Sequence, residues 1–490
     1  MNTTVAVFAA LVLVASALGF TAARRKSGEL RDLQEWALGG RRFGTLLSWF
    51  LLGGDLYTAY TFIALPALVY GVGALGFFAV PYATIAYPIV FLFLARFWSV
   101  AHERGYMTVG DFVLGRYRSR SLEMAIAVTG VLAALPYIAL QIVGMKAVLA
   151  QLGGVVAFGG GAMPLTVAFA LLAAYTYFGG LRAPATIAVF KDILIYATIA
   201  AAIVIVPHAL GGWHAIFDAA GKALTTPLHP QPLLIAPQMQ FAYATLALGS
   251  AFSLFLYPHA ITSLLSAKSA DVVRRNAALL PLYSILLGII ALLGFAALAA
   301  GIHAAPNEIV PILFARFFPP WFTGLADATI VIGALVPASI MALGAANLFV
   351  RNVLAPISGR MPSSNAAATK WLTLAFCALS LLLVLYMNVK FAIYFQLLGG
   401  AWVLQTAPTI FFGLHARTIP ARALFAGWLA GMVAASYLAV NDGFSPLVTL
   451  HIGAYSITGF IAVYAVLLNL AVTFAAALFL RSRSSEMEAV

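Results

Sequence analysis

Charge is what this sequence has least of. Only 9% of its 490 residues are Asp, Glu, Lys or Arg, 63% are hydrophobic and the mean hydropathy is +1.00, whereas soluble domains carry about a quarter of their residues as charges. That excludes a soluble fold and leaves a polytopic membrane protein. Cysteine is equally scarce: Cys377 stands alone inside an apolar run, so no disulfide and no cysteine-ligated metal site forms within the chain, and nothing about redox compartment can be read. The longest polar stretches are 23–44, 211–240 and 350–370, so there is no soluble output domain of the kind a membrane sensor needs, and the segment after the final span reads only RSRSSEMEAV. A phosphate-binding loop is missing, which excludes an ATP-driven pump without a separate ATPase subunit. A GxSG serine motif is missing too, and no second mid-span aspartate partners Asp55, so an intramembrane protease is excluded and the chain is read as no enzyme.

What is present is a succession of apolar runs of about 20 residues, the length that crosses a bilayer as a helix. Thirteen start near residues 3, 45, 75, 121, 162, 185, 241, 279, 323, 371, 391, 423 and 451. An odd number puts the termini on opposite sides. With the N-terminus outside, 23 of the 27 Lys and Arg residues face the cytoplasm, leaving only Lys146, Lys222, Arg316 and Lys390 outside, as the positive-inside bias requires. The net charge of +12 and pI near 9.8 are therefore a topology signal in a cell inner membrane, and nucleic acid is not a partner. The first span is read as a true helix, not a signal peptide, because its charges follow the apolar run and no small-residue cleavage site is evident.

Two spans are interrupted. Residues 48–70 carry Gly53, Gly54, Asp55 and Pro66. An aspartate at mid-bilayer depth costs about 2.5–3.5 kcal/mol, so it is expected to face a cavity, an ion or a partner, and unwound backbone survives at that depth only inside protein or beside a watery site. Five spans later, Tyr257, Pro258 and His259 break the run 241–265. Paired interruptions at corresponding places point to an inverted-repeat transporter. The expected organisation is a single membrane domain over 1–490: an extra N-terminal helix (3–22), a first repeat (45–210), a second repeat (241–413) and two C-terminal helices (423–480). The proline-bearing segment 211–240 is expected to be an external loop.

Six stretches carry a family resemblance. They are EWALGGRRFG (Glu35 to Gly44), YMTVGDFVLGRYRSR (Tyr106 to Arg120), PYIALQIVGMKAVLAQLGG (Pro136 to Gly154), YTYFGGLRA (Tyr175 to Ala183) ahead of Lys191 and Asp192, LYPHAITSLLSAKSADVVRRN (Leu256 to Asn276) and GALVPASIMALGAANLFVRN (Gly333 to Asn352). In this order they resemble the sodium:solute symporter family, and the YPH and VPASIMALGAANLFVRN stretches look most like its bacterial monocarboxylate permease branch. The resemblance implies an all-α, five-plus-five inverted-repeat (LeuT-like) fold. It further implies secondary import of pyruvate, lactate, acetate or propionate by cation-coupled symport with alternating access. The alternatives are a sodium-coupled symporter of another small solute, such as an amino acid or sugar, and an uncoupled facilitator. The expected partners are a small organic solute and the lipid bilayer, with room for a small accessory membrane subunit; oligomeric state is unknown, and there is no cofactor beyond a coupling ion, sodium or proton.

The candidate coupling residues are Gly53, Asp55, Leu56, Ala334, Pro337 and Ser339. The resemblance puts an aspartate at the place of Asp55 in the sodium-coupled proline branch. Backbone carbonyls of Gly53 and Leu56, with Ala334 and Ser339, would make a sodium site, since unwound carbonyls hold cations in such folds. The departure lies in the ninth span, where sodium-coupled members carry a Ser-Thr pair and this chain has Pro337 and Ala338, followed by Ser339. Sodium, like other hard cations, wants several oxygen ligands, which leaves a proton handled by Asp55 or His259 as the competitor. No arginine sits mid-membrane, so a small carboxylate would rest on half-helix N-termini. The expected substrate groups are Tyr57, Tyr60, Gln141, Tyr257, His259 and Gln396, with Tyr137 and Gln405 as further cavity-lining polar groups. Each of these also reads as ordinary helix-packing glue. Lys146 is expected to snorkel outward, Lys191 and Asp192 to form an inner-face gate or structural pair, and Asp327 reads as a helix-start charge as readily as a site group.

Overall fold

The computed structural model describes residues 2–24, 37–53, 56–153, 166–167, 170–174, 181–226, 231–359, 366–387, 390–415, 419–453 and 455–488. Asp55, Gly54 and most of the span expected from residue 162 lie outside the described residues. Among the described residues, nine helices are long and apolar enough to cross a membrane, and Pro237–Leu254 with Pro258–Ser266, bent by 51°, makes a tenth.

The N-terminal helix α1 (Thr3–Arg24) is followed by the short α2 (Thr45–Leu52) and, beyond an unwound turn and a π-type turn at Tyr60–Ala64, by α3 (Leu65–Val72). Next come α4 (Ala79–Ile89) and α5 (Ala95–Arg104), joined through a second π-type turn, and α6 (Val109–Tyr117). The long helices α7 (Arg120–Gly153) and α8 (Arg182–Ala209) follow. Helix α9 (Trp213–Leu224) corrects the loop expected at 211–240: Ile216 and Ala220, one turn apart, are buried, as an amphipathic surface helix requires.

The second broken helix is α10 (Gln240–Leu254) with α11 (Pro258–Ser266), followed by α12 (Ala270–Ala291), α13 (Leu293–Ala299) and α14 (Ile309–Phe317). Helix α15 (Pro320–Phe349) is buried along nearly all its length. It is hydrophobic all round, which marks a helix at the centre of a bundle. The chain continues through α16 (Ala355–Ser358), α17 (Ala366–Tyr386), α18 (Ile393–Val403), α19 (Ala407–His415) and α20 (Ala421–Asn441).

The final span starts later than expected. An antiparallel hairpin, β1 (Leu447–Ile452) with β2 (Tyr455–Phe460), occupies the residues assigned to its beginning and pairs Leu447 with Phe460 through to Ile452 with Tyr455. Gly453, at φ +59°, closes the turn in the left-handed region open to glycine. Only then does α21 (Ile461–Glu488) begin.

One backbone contact ties the two broken helices at one end of the bundle. Phe43, just before α2, donates its amide to Ser266 O at 3.1 Å and accepts from Lys268 N at 2.9 Å. The entry of the first broken helix is thereby paired with the exit of the second.

Candidate transport site

Helix α2 ends at Gly53, whose amide closes the last turn on Trp49 O at 2.8 Å. Gly53 O accepts from the amides of Leu56 (2.9 Å) and Tyr57 (3.3 Å), and Leu56 O accepts from the Thr61 hydroxyl at 2.6 Å. Thr58 Oγ1 accepts from Tyr60 N at 3.0 Å and from Gln141 Nε2 at 3.3 Å, while Gln141 Oε1 accepts from Ala59 N at 3.1 Å. Gln141 is thus committed to the turn, and Gly144 on the same helix lets α7 approach Ala59 closely enough for a Cβ to collide with it.

The last carbonyl of this turn has a charged partner. Lys191, on α8 and fully buried, donates its ammonium to Tyr57 O at 3.0 Å. Its nitrogen also lies 2.9 Å from Asp192 Oδ1. That contact is ionic and lateral, between neighbours in sequence, and leaves both carboxylate oxygens without an aligned hydrogen bond among the described residues. Around the pair stands an aromatic wall: Tyr283 is 4.5 Å, ring to ring, from both Tyr57 and Trp49, and Tyr196 meets Tyr57 edge-on at 6.1 Å.

The second break is built differently. Tyr257 takes an extended conformation (φ −62°, ψ 144°) and Pro258 opens α11, where its missing amide costs nothing. Tyr257, Tyr137 and His259 form a triangle of rings with centroids 5.2–5.5 Å apart. Tyr257 donates its hydroxyl to Gln396 O at 2.9 Å, and Tyr60 faces Tyr82 edge-on at 6.2 Å. His259 Nδ1 and Gln396 Oε1 are buried without a hydrogen-bond partner among the described residues. Gly344 permits the fit, since a Cβ there would stand 2.9 Å from His259 N.

The expected site residues therefore divide. Tyr137, Tyr257 and His259 pack ring on ring with Gln396 beside them, Tyr60 packs on Tyr82, and Tyr57 gives its carbonyl to Lys191 and its ring to Tyr196 and Tyr283. Gln405 is placed elsewhere: its amide bonds Ala401 O and Ala462 O and accepts from Asn469 on α21, so it joins the C-terminal helices instead of lining the cavity. Asp327 is no helix-start charge. It lies two turns into α15, fully buried, with neither oxygen partnered among the described residues. Lys146 is exposed, as expected of a snorkelling side chain.

Among the described residues, the ninth span supplies no side-chain hydroxyl free for a sodium ion. Pro337 and Ala338 offer no hydroxyl, Ser339 Oγ donates to Val336 O at 2.7 Å, and α15 runs through Pro337 without unwinding. The carbonyls of Gly53 and Leu56 already accept hydrogen bonds from the turn itself.

Sequence reasoning missed Thr58, Thr61, Tyr82, Tyr196 and Tyr283, none of which sits in a motif or carries a charge. It also missed the roles of residues it had quoted only as motif letters. Arg351 Nε donates to both Asp111 oxygens at 2.8 and 2.6 Å, and Asn352 Nδ2 donates to Asp111 Oδ1 (3.1 Å) and Glu123 Oε1 (2.8 Å). Asn352 Oδ1 in turn accepts from the Thr108 hydroxyl at 2.6 Å. This network binds α6 and α7 to the end of α15.

Two broken helices in one bundle, each meeting buried polar side chains at its break, define a secondary transporter of the inverted-repeat class. Residues 36–432 match the model of the sodium:solute symporter family, and the chain belongs to that family. It is 45% identical over 475 residues to a monocarboxylate transport permease protein of Rhizobium johnstonii, covering 96% of each chain. It is 35% identical to the uncharacterized symporter YodF of Bacillus subtilis, over 88% of this chain and 86% of that one. Among solved structures it shares its fold with a Na+-coupled sialic acid symporter in a substrate-bound outward-open state, at a TM-score of 0.77, 16% identity and 98% coverage of both chains. A nucleobase-cation-symport-1 family transporter in a closed conformation matches at a TM-score of 0.57 and 12% identity, over 91% of this chain and 94% of that one.

Proposed function

We propose that this chain imports short monocarboxylates of the pyruvate, lactate, acetate and propionate class by cation-coupled symport. The observation that carries the reading is the 45% identity, over nearly the whole length, to a permease named for monocarboxylate transport. The chemistry of the second break supports it. The amides of His259 and Ala260 open α11 without a preceding helical turn to bond, so they attract an anion, and His259 Nδ1 adds a polar atom awaiting a partner. The aromatic walls of Tyr60, Tyr137 and Tyr257 suit a substrate with one carboxylate and a short apolar body. Family membership makes a cation the coupling species, with sodium first and proton second.

Alternating access runs between a first repeat (45–210) and a second (241–413), each contributing one broken helix, within a cell inner membrane that leaves the N-terminus outside and the C-terminus in the cytoplasm. The Asp111–Arg351–Asn352 network closes the cytoplasmic end.

The test is uptake of labelled pyruvate into proteoliposomes under an imposed sodium gradient and, in parallel, a proton gradient. Accumulation under either supports the reading, and none under both, with protein that is folded, removes the monocarboxylate assignment. Within that assay Asp55→Asn abolishes accumulation while folding survives, and His259→Gln raises the half-saturating substrate concentration about tenfold, the order expected for a lost hydrogen bond to a charged group. Undiminished uphill uptake by the first variant would take Asp55 out of the coupling mechanism.

A further inference from the structure

The first break, where a half-helix ends in an unwound segment, is where a transporter of this fold would bind a coupling cation. In this chain a cation is already built in. The Lys191 ammonium bonds Tyr57 O at 3.0 Å, its charge is balanced by Asp192 at 2.9 Å, and both side chains are fully buried.

Its level along the bundle follows from the packing of α8 on α15. Thr198 Oγ1 donates to Thr329 Oγ1 at 3.2 Å, and one turn earlier on α8 the Ile195 side chain comes within 4.0 Å of where a Cβ on Gly333 would stand. Moving back along α8 therefore means moving forward along α15. Four residues back from Ile195 is Lys191, and four forward from Gly333 is Pro337. At 1.5 Å rise per residue on both helices, Lys191 stands level with Pro337 and Ala338, the two positions that carry no hydroxyl.

We propose that Lys191 is a tethered replacement for sodium at this position: its ammonium occupies the place between the unwound turn and α15 where hydroxyls would otherwise complete a sodium site. Three observations thereby share one cause. The hydroxyls at 337 and 338 are dispensable because an ammonium needs an acceptor and a counter-charge, and Tyr57 O supplies the first and Asp192 the second. The buried lysine is tolerable because it is paired and bonded. Tyr57 faces Lys191 because its carbonyl is the acceptor. Any sodium that drives transport binds elsewhere, and the turn after Gly53 keeps its shape without it. The inference rests on the transporter reading of the fold, and not on which solute is carried.

The test needs no substrate, so its failure is distinguishable from failure of the monocarboxylate assignment. Amide hydrogen exchange of the segment 45–65 is followed in the full-length purified protein, with sodium chloride or choline chloride at equal ionic strength. The expected result is the same exchange rate in both salts for the wild type, and exchange about tenfold faster in both for Lys191→Met, the order of effect of one lost charge-assisted hydrogen bond. The triple variant Lys191→Ala, Pro337→Ser, Ala338→Ser is expected to acquire protection of this segment that appears only in sodium, a gain that a purely structural lysine would not produce. Sodium-dependent protection of 45–65 in the wild type overturns the proposal, whether or not the variants fold.

Discussion

The two broken helices interrupt the bundle for different reasons. The first is held open by polar side chains from other helices: Gln141 grips Ala59 and Thr58, the Thr61 hydroxyl takes Leu56 O, and Lys191 takes Tyr57 O. The second is set by the chain itself, through an extended Tyr257 and a proline at the first helical position, and is then wedged between α7 and α15 where Gly130 and Gly344 make room for it. A break maintained by hydrogen bonds that can be exchanged is suited to an ion or a charge, whose arrival or departure re-forms those bonds. A break maintained by backbone geometry and ring packing is suited to shaping a pocket.

The sharpest way to break this contrast is to remove the charge at the first site. Lys191→Met strands a buried aspartate and is expected to cost about 3–5 kcal/mol. The double variant Lys191→Met, Asp192→Leu removes both charges and costs clearly less than the single one. Thermal unfolding in detergent reads both, and a double variant as unstable as the single would show that the pair is not coupled.

Next in size is the network that joins the two motif regions. Arg351→Gln leaves Asp111 with fewer charge-assisted bonds, a loss of about 1.5–3 kcal/mol, and is expected to loosen that end of the bundle. Because Cys377 is the only cysteine, a Cys377→Ser background allows an introduced cysteine near Thr108 to report the change as faster labelling. Equal labelling rates would make the network a surface feature only.

The smallest effect is expected at the second break. Gly344→Ala places a methyl 2.9 Å from His259 N and 3.0 Å from Pro258 C, backbone atoms that cannot swing aside, and overpacking of this kind costs about 1–3 kcal/mol. Gly153→Ala, with nothing among the described residues within 4 Å of the added carbon, is the control. If both variants lose the same stability, close packing of α11 on α15 is not what sets the second break.

Much of the architecture was legible in the residues because hydrophobic length and interruption are one-dimensional signals. Apolar runs near bilayer thickness located most membrane helices, and Gly53 and Pro258 marked both breaks. Two places misled, one because local hydropathy does not distinguish secondary structures of similar apolarity, the other because prolines further along a segment do not forbid a helix at its start. The hairpin at Leu447–Phe460 is apolar enough to read as the start of a span, and α9 lies inside a segment whose prolines suggested a loop.

The sequence by itself determined the class of solvent this chain folds in, the positions of its helix breaks, its family, and the loss of hydroxyls at Pro337 and Ala338. Only the tertiary structure decided which polar groups meet. Tyr57 and Tyr60 stand three residues apart, yet one packs its ring on Tyr196 and Tyr283 beside Lys191 and the other on Tyr82, because the helix is interrupted at Tyr57 and no continuous helical period governs both. Lys191 and Pro337 are far apart in sequence and carry no shared pattern. They come level because Thr198 and Ile195 dock on Thr329 and Gly333, a register set by side-chain packing between two buried helices.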